Sequence, residues 1–197
     1  NIYGDLIIQN NPQLTVLNIE NKGLSIWDWS GLPLLDSIHA ANFFFGLFIF
    51  DDLPSLRYFD CSNFQGYSFE LTSTPVLNYV DLSNSTIFTL WLDNSPELSY
   101  LNLTGTDVTD LKIFSSKLNS IDLSSASSLE LIFISDNDSL TSLDLSQNTS
   151  LNNIDITICP ALTTLDLRNG NNNNTNSASF LCYGNPNLQC ISVDDTA

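Results

Sequence analysis

Nine leucines stand at a near-constant interval along the chain: Leu14, Leu35, Leu56, Leu77, Leu98, Leu118, Leu140, Leu162 and Leu188. The gaps between them are 21, 21, 21, 21, 20, 22, 22 and 26. A segment of that length cannot enclose its own apolar face, so successive segments must lie against one another; the spacing predicts a solenoid. Stacked surface without a pocket also argues against an enzyme.

Each repeat contains two copies of a shorter unit. In the stretch 87–107 the first is Ile87-x-x-Leu90-x-Leu92-x-Asn94 and the second Leu98-x-x-Leu101-x-Leu103. The half anchored at Leu98 is termed A and the half anchored at Ile87 is termed B. Alternation in x-L-x-L is a strand signal of period two with one face buried. Helical spacing of three and four is not sustained over two turns. The inward A positions run from Leu14/Leu17/Ile19 through Leu56/Phe59/Cys61 to Leu162/Leu165/Leu167. The inward B positions run from Tyr3/Leu6/Ile8 through Leu24/Trp27/Trp29 and Phe45/Phe48/Phe50 to Leu151/Ile154/Ile156.

Corners are marked by two residue types. Asn10, Asn21, Asn42, Asn63, Asn84 and Asn94 each fall seven residues after an anchor. A side-chain amide there can bond the turn backbone, and stacked amides can bond each other. All seven prolines (Pro12, Pro33, Pro54, Pro75, Pro96, Pro160 and Pro186) fall two residues before an A anchor. There proline sets the chain direction where no ladder N–H is required. The expected fold is mainly β: a leucine-rich repeat solenoid of about nine turns, two short parallel strands per turn, roughly 40 Å long. Residues 1–167 form the solenoid, and 168–197 an atypical last turn and cap, with the polar insertion at 169–177 as a loop.

Segments such as Leu140-Thr-Ser-Leu-Asp-Leu-Ser-Gln-Asn148 and Leu162-Thr-Thr-Leu-Asp-Leu-Arg-Asn169 resemble the leucine-rich repeats of secreted Bacteroidetes surface proteins. The closing stretch from Leu167 through Asn185-Pro-Asn-Leu-Gln-Cys to Asp195 is similar to the terminal turn of that family. The resemblance covers nearly the whole chain and implies a fold; such repeats bind many unrelated partners. Trp27, Trp29 and Phe43-Phe44-Phe45 depart from the leucine pattern and predict different packing in the first turns.

Against 22 acidic residues stand only 5 basic ones, a net charge of −17. That surface repels phosphate backbones, so nucleic acid is not an expected partner, and it attracts cationic ones. No run of eighteen apolar residues occurs, so the chain is not expected to span a membrane. It begins inside the pattern without a signal peptide, which predicts a mature or cropped piece of a longer secreted protein, located outside the cell or on its outer surface. Of the four cysteines, Cys61 and Cys182 fall at inward positions, Cys159 in a corner, and Cys190 points outward, so a Cys182–Cys190 bridge is out of register. One histidine and no C-x-x-C pair predict no zinc site and no cofactor.

Function in a solenoid belongs to its outward ladders. On the A face, Tyr58, Tyr79 and Tyr100 stack beside Asp60, Asp81 and Asn102, an aromatic and acidic strip suited to a basic protein segment or a sugar chain. The same ladders can equally be read as finishing a sheet. The aspartate row invites Ca²⁺, but a flat row supplies about two or three oxygens where roughly six are needed. On the B face, Leu47, Ile49, Trp91, Leu131 and Phe133 are expected to cluster outward, mixed with Asp28, Glu70, Lys112 and Asp155; a partner protein is the favoured contact over a neighbouring domain or loops of the same chain. Ser37, His39 and Asp60 suggest a triad only on paper, since an open sheet has no oxyanion pocket. Ser37, Ser139 and Thr196 lie in Asp-Ser/Thr-apolar triplets, which resemble Bacteroidetes O-glycosylation sites. Asn84, Asn102, Asn137, Asn148 and Asn173 form sequons relevant to a eukaryotic secretory route. The expected function is non-catalytic protein binding at the cell surface or envelope, as part of an adhesin or outer-surface assembly. The alternative is glycan binding through the tyrosines.

Overall fold

A computed structural model describes residues 4–5, 8–20, 24–25, 29–43, 47–172 and 179–194. The chain winds as a mainly β solenoid of about seven turns, with parallel strands stacked on two sides. The B halves build one seven-stranded sheet: β5 (Leu47–Asp51), β7 (Gln65–Thr72), β9 (Thr86–Asp93), β11 (Asp107–Ser116), β12 (Leu131–Asn137), β14 (Asn153–Thr157) and β16 (Phe180–Leu181). The A halves build a five-stranded sheet: β2 (Val16–Asn18), β4 (Ser37–His39), β6 (Tyr58–Asp60), β8 (Tyr79–Asp81) and β10 (Tyr100–Asn102). A three-stranded sheet follows it, formed by β13 (Ser142–Asp144), β15 (Thr164–Asp166) and β17 (Cys190–Ser192). Near the start, β1 (Gly4–Asp5) pairs with β3 (Leu24–Ser25).

Between β10 and β13 the A ladder is interrupted: residues 118–123 form no strand, although Leu118, Ile121 and Leu123 still point into the core. The interruption coincides with the one interval of 20 residues, from Leu98 to Leu118. The inward positions stay in phase through that shortened turn, and backbone bonds still cross it, from Lys117 N–H to Leu98 C=O (2.9 Å) and from Thr141 N–H to Asn119 C=O (3.3 Å).

The expected inward positions that are described are buried, except at the ends, where Leu14 and Cys182 are only partly buried. Leu56, Phe59, Leu77, Val80, Leu98, Leu90, Leu92, Leu111 and Ile113 all have zero exposure. Transfer of apolar surface from water into this shared core drives the stacking. Leu14 and Leu188, in the first and last described A halves, are only partly buried because each is covered from one side. The early turns do pack differently. Trp29, Phe43, Phe48, Phe50, Phe59, Phe64 and Phe69 form one aromatic cluster with several edge-to-face pairs, among them Phe50–Phe59 at 4.6 Å and 76°. That geometry sets the positive ring edge against the negative face. Tyr3, Leu6, Trp27, Phe44, Phe45 and the side chain of Leu24 lie outside the described residues.

The corners work by two mechanisms. Each proline follows the first residue of a tight turn closed by the anchor leucine. Leu56 N–H donates to Leu53 C=O (3.2 Å), Leu77 to Thr74 (3.1 Å), Leu98 to Ser95 (2.9 Å) and Leu162 to Cys159 (3.0 Å). Proline presets φ at that second turn position and gives up no bond. The asparagines act differently from the expected amide ladder. Asn10, Asn42, Asn63, Asn84 and Asn94 all have φ between 52° and 61°. This is the left-handed region, which asparagine tolerates far better than most residues. Gly105 takes the same corner with φ 72°, and a Cβ there would meet Asn84 Oδ1 at 2.6 Å. Stacked polar side chains occur instead at the adjacent inward positions. Thr74 and Ser95 hydroxyls bond at 2.7 Å, Ser116 bonds Asn137, and the Asn148 amide donates to Leu123 C=O (3.0 Å) and Ala126 C=O (2.8 Å). These bonds pair polar side chains that lie buried at the corner.

Candidate functional site

The A-face tyrosines come together as the spacing predicts. Tyr58 pairs in register with Tyr79, and Tyr79 with Tyr100. Their rings are nearly parallel, with centroids 4.6 Å and 4.7 Å apart and interplanar angles of 8° and 7°. His39 extends the column, its ring 5.1 Å from that of Tyr58. It therefore packs as a member of the stack.

This stacking changes what the ladder can offer. Each inner tyrosine has a neighbour on both faces. Only ring edges and hydroxyls point outward, plus the outer face of Tyr100, which is 49% exposed. A sugar binds an aromatic residue by lying on its face, so most of this strip is closed to that contact.

The acids beside the tyrosines have a job within the fold. Asp60 Oδ1 accepts the Ser62 N–H at 2.9 Å, Asp81 that of Ser83 at 2.8 Å, and Asn102 that of Thr104 at 3.1 Å. Asp122, Asp144 and Asp166 repeat the bond with the second residue onward. Each is a side-chain turn that closes the exit from an A half. Asp81 Oδ2 also accepts from the Asn102 amide (3.1 Å) and the Tyr79 hydroxyl (3.3 Å). Burial, and next the Asp81 carboxylate, push the Tyr79 hydroxyl up to about 12. Tyr58 is raised by burial first and then by Asp60. Hydrogen bonds from Arg168 hold Asp166 down at about 2. Among the described residues, no group of three or more His, Cys, Asp or Glu is placed to hold a metal ion.

The B-face residues do not form the single apolar cluster expected of them. Pairing sets Ile49 beside Glu70, Glu70 beside Trp91, Trp91 beside Lys112, Lys112 beside Phe133, and Phe133 beside Asp155. Every apolar member of that row is separated from the next by a charge. Ile49 is 45% exposed, while Trp91, Leu131 and Phe133 are half-buried. Lys112 Nζ sits 5.6 Å from the centre of the Trp91 ring and covers it. Leu131 stands in the neighbouring row, between Asp110 and Asn153. The side chain of Leu47 is outside the described residues.

The sequence reading missed a second aromatic pair. Tyr67 and Phe88 lie near the starts of β7 and β9, 62% and 43% exposed, their rings stacked at 4.8 Å and 11°. They border a shallow groove completed by Asp107, Thr109 and Ser128. A signal existed: Ile87 and Val108 are inward anchors, so their chain neighbours must face outward. Among the modification candidates, Ser37 and Ser139 are partly buried, and Thr196 is outside the described residues. The four cysteines are free thiols, Cys61 and Cys159 buried and Cys190 exposed.

Among the described residues no helix is long and apolar enough to cross a membrane. No family model matches the sequence, and no curated protein is significantly similar to it.

Proposed function

We propose that this chain is a non-catalytic protein-binding module, a leucine-rich repeat solenoid of about nine turns belonging to a secreted or cell-surface protein. It serves as part of an adhesin or an outer-surface assembly and engages a cationic partner along the A face. The observation that carries this reading is the closed tyrosine column bordered by Asp60 and Asp81. Its rings are stacked in register, and its hydroxyls and carboxylates form a polar row that accepts hydrogen bonds from a basic segment.

Charge supports the same partner class. The described basic side chains are already engaged within the molecule: Arg57 with Asp36 at 2.7 Å, Lys117 with Glu97 at 3.3 Å, Arg168 with Asp166, and Lys112 over Trp91. Among the described residues the remaining acids make no salt bridge, and they draw positive partners at long range.

Affinity capture from the native envelope with the wild-type chain and a Tyr79→Ala, Asp81→Asn variant tests the proposal. A stoichiometric protein partner retained by the wild type and lost by the variant is the expected result. Glycan-array binding that depends on Tyr79, with no protein retained, would defeat it.

A further inference from the structure

The two rows of outward residues at the leading edge of the seven-stranded sheet differ sharply in character. One row is aromatic and then abruptly small: Tyr67, Phe88, Thr109. The other is polar: Thr86 pairs with Asp107, and Ser128 bonds to Asp107. Tyr67 covers one face of Phe88. On the other side stands Thr109, flanked by the paired Val108–Ile87 and Asp110–Thr89. A threonine side chain is too short to cover a phenyl ring, and Phe88 remains 43% exposed. The aromatic stack therefore stops one place early and leaves a slot, one coil wide, against the bare face of Phe88.

The floor and side of the slot carry fixed negative charge. Asp107 accepts the Ser128 N–H on Oδ1 at 3.1 Å and the Ser128 hydroxyl on Oδ2 at 2.9 Å. Those two bonds orient the carboxylate and leave a lone pair on each oxygen for a further donor. Asp110 and Glu130 lie on the same and the next coil.

We infer that this slot is a receptor for an arginine side chain of a basic protein segment, stacked on Phe88 and hydrogen-bonded to Asp107. A group entering it must be flat, to continue a stack of about one strand spacing, and it must carry N–H donors and positive charge. The guanidinium meets all three requirements, being planar, permanently charged and able to address both oxygens of a carboxylate. An ammonium is a compact point charge and gains less from the ring face. The slot lies on the other sheet from the tyrosine column, so it stands or falls independently of the A-face reading.

Titration of the whole chain at low salt with two synthetic peptides tests it, one bearing four arginines spaced by glycine and serine, the other identical but with lysines. The arginine peptide is expected to bind more tightly, by about tenfold. Phe88→Ala removes the ring and Thr109→Tyr fills the slot. Both substitutions are on the outward surface, and each is expected to abolish the preference, while Tyr79→Ala leaves it intact. Equal binding of the two peptides overturns the inference, as does a preference that survives both slot variants. Binding of a neutral oligosaccharide such as cellopentaose that is lost in Phe88→Ala, without arginine preference, assigns the slot to sugar and overturns it as well.

Discussion

Among the described residues, Ile158 is the one β-branched residue held in the left-handed region, with φ 52°. It occupies the corner that asparagine takes elsewhere, and its side chain is 44% exposed, so the strain is not offset by burial. Ile158→Asn should therefore stabilise the protein by about 1 kcal/mol, read as a rise in the denaturant midpoint. Tyr79 provides a second residue-level test. Its folded hydroxyl titrates near 12 against an ordinary value of 10.0, so folding favours the protonated form. The stabilisation is fully present below the ordinary value and is lost as pH climbs from there toward 12. Phenolate absorbance should show Tyr79 titrating late, as Tyr58 also does, and Asp81→Asn should bring Tyr79 earlier by removing the neighbouring charge. The role of Asn84 was visible in the sequence as a recurring corner, but not its cause. A backbone angle leaves no trace in composition, whereas an amide suggests hydrogen bonding first.

Strands here are short, and the leucine pattern captured their inward faces because burial is what that pattern encodes. It did not capture their lengths. β7, β9 and β11 extend to eight, eight and ten residues, upstream of the segment where alternation is clean. Tyr67 and Phe88 sit in that extension, so they escaped notice while Tyr58 and Tyr79 did not. The B-face row failed as a single patch for a related reason: exposure was inferred for each residue, but contiguity depends on what the adjacent coil supplies. Between elements, the inward hydroxyl ladder makes a testable claim. Ser95→Ala should cost roughly 1–3 kcal/mol by leaving the Thr74 hydroxyl buried without its 2.7 Å partner. Adding Thr74→Val should recover much of that loss, and the double-mutant cycle measured by denaturation gives the coupling.

For the whole molecule, stability is a sum over neighbouring coils. Leu90 is fully buried on an interior strand of the seven-stranded sheet. Leu90→Ala should cost about 2–5 kcal/mol by leaving a cavity. Hydrogen exchange should speed up mainly in β7, β9 and β11 and little in β2 or β17, since those distant strands share no contact with it. A uniform loss of protection along the chain would show that the coils unfold as one unit.

The short interval between Leu98 and Leu118 also has a mechanical meaning. One flank of the rod is knitted by a sheet of seven strands, while the other loses its strand pairing between β10 and β13, where only scattered backbone bonds such as Lys117 N–H to Leu98 C=O and Thr141 N–H to Asn119 C=O cross. Such a beam flexes most easily in a single plane, with the knitted flank as its spine and the gap in pairing as its crease. A ligand gripping both lips of that crease would act as a splint, straightening the molecule without altering any coil.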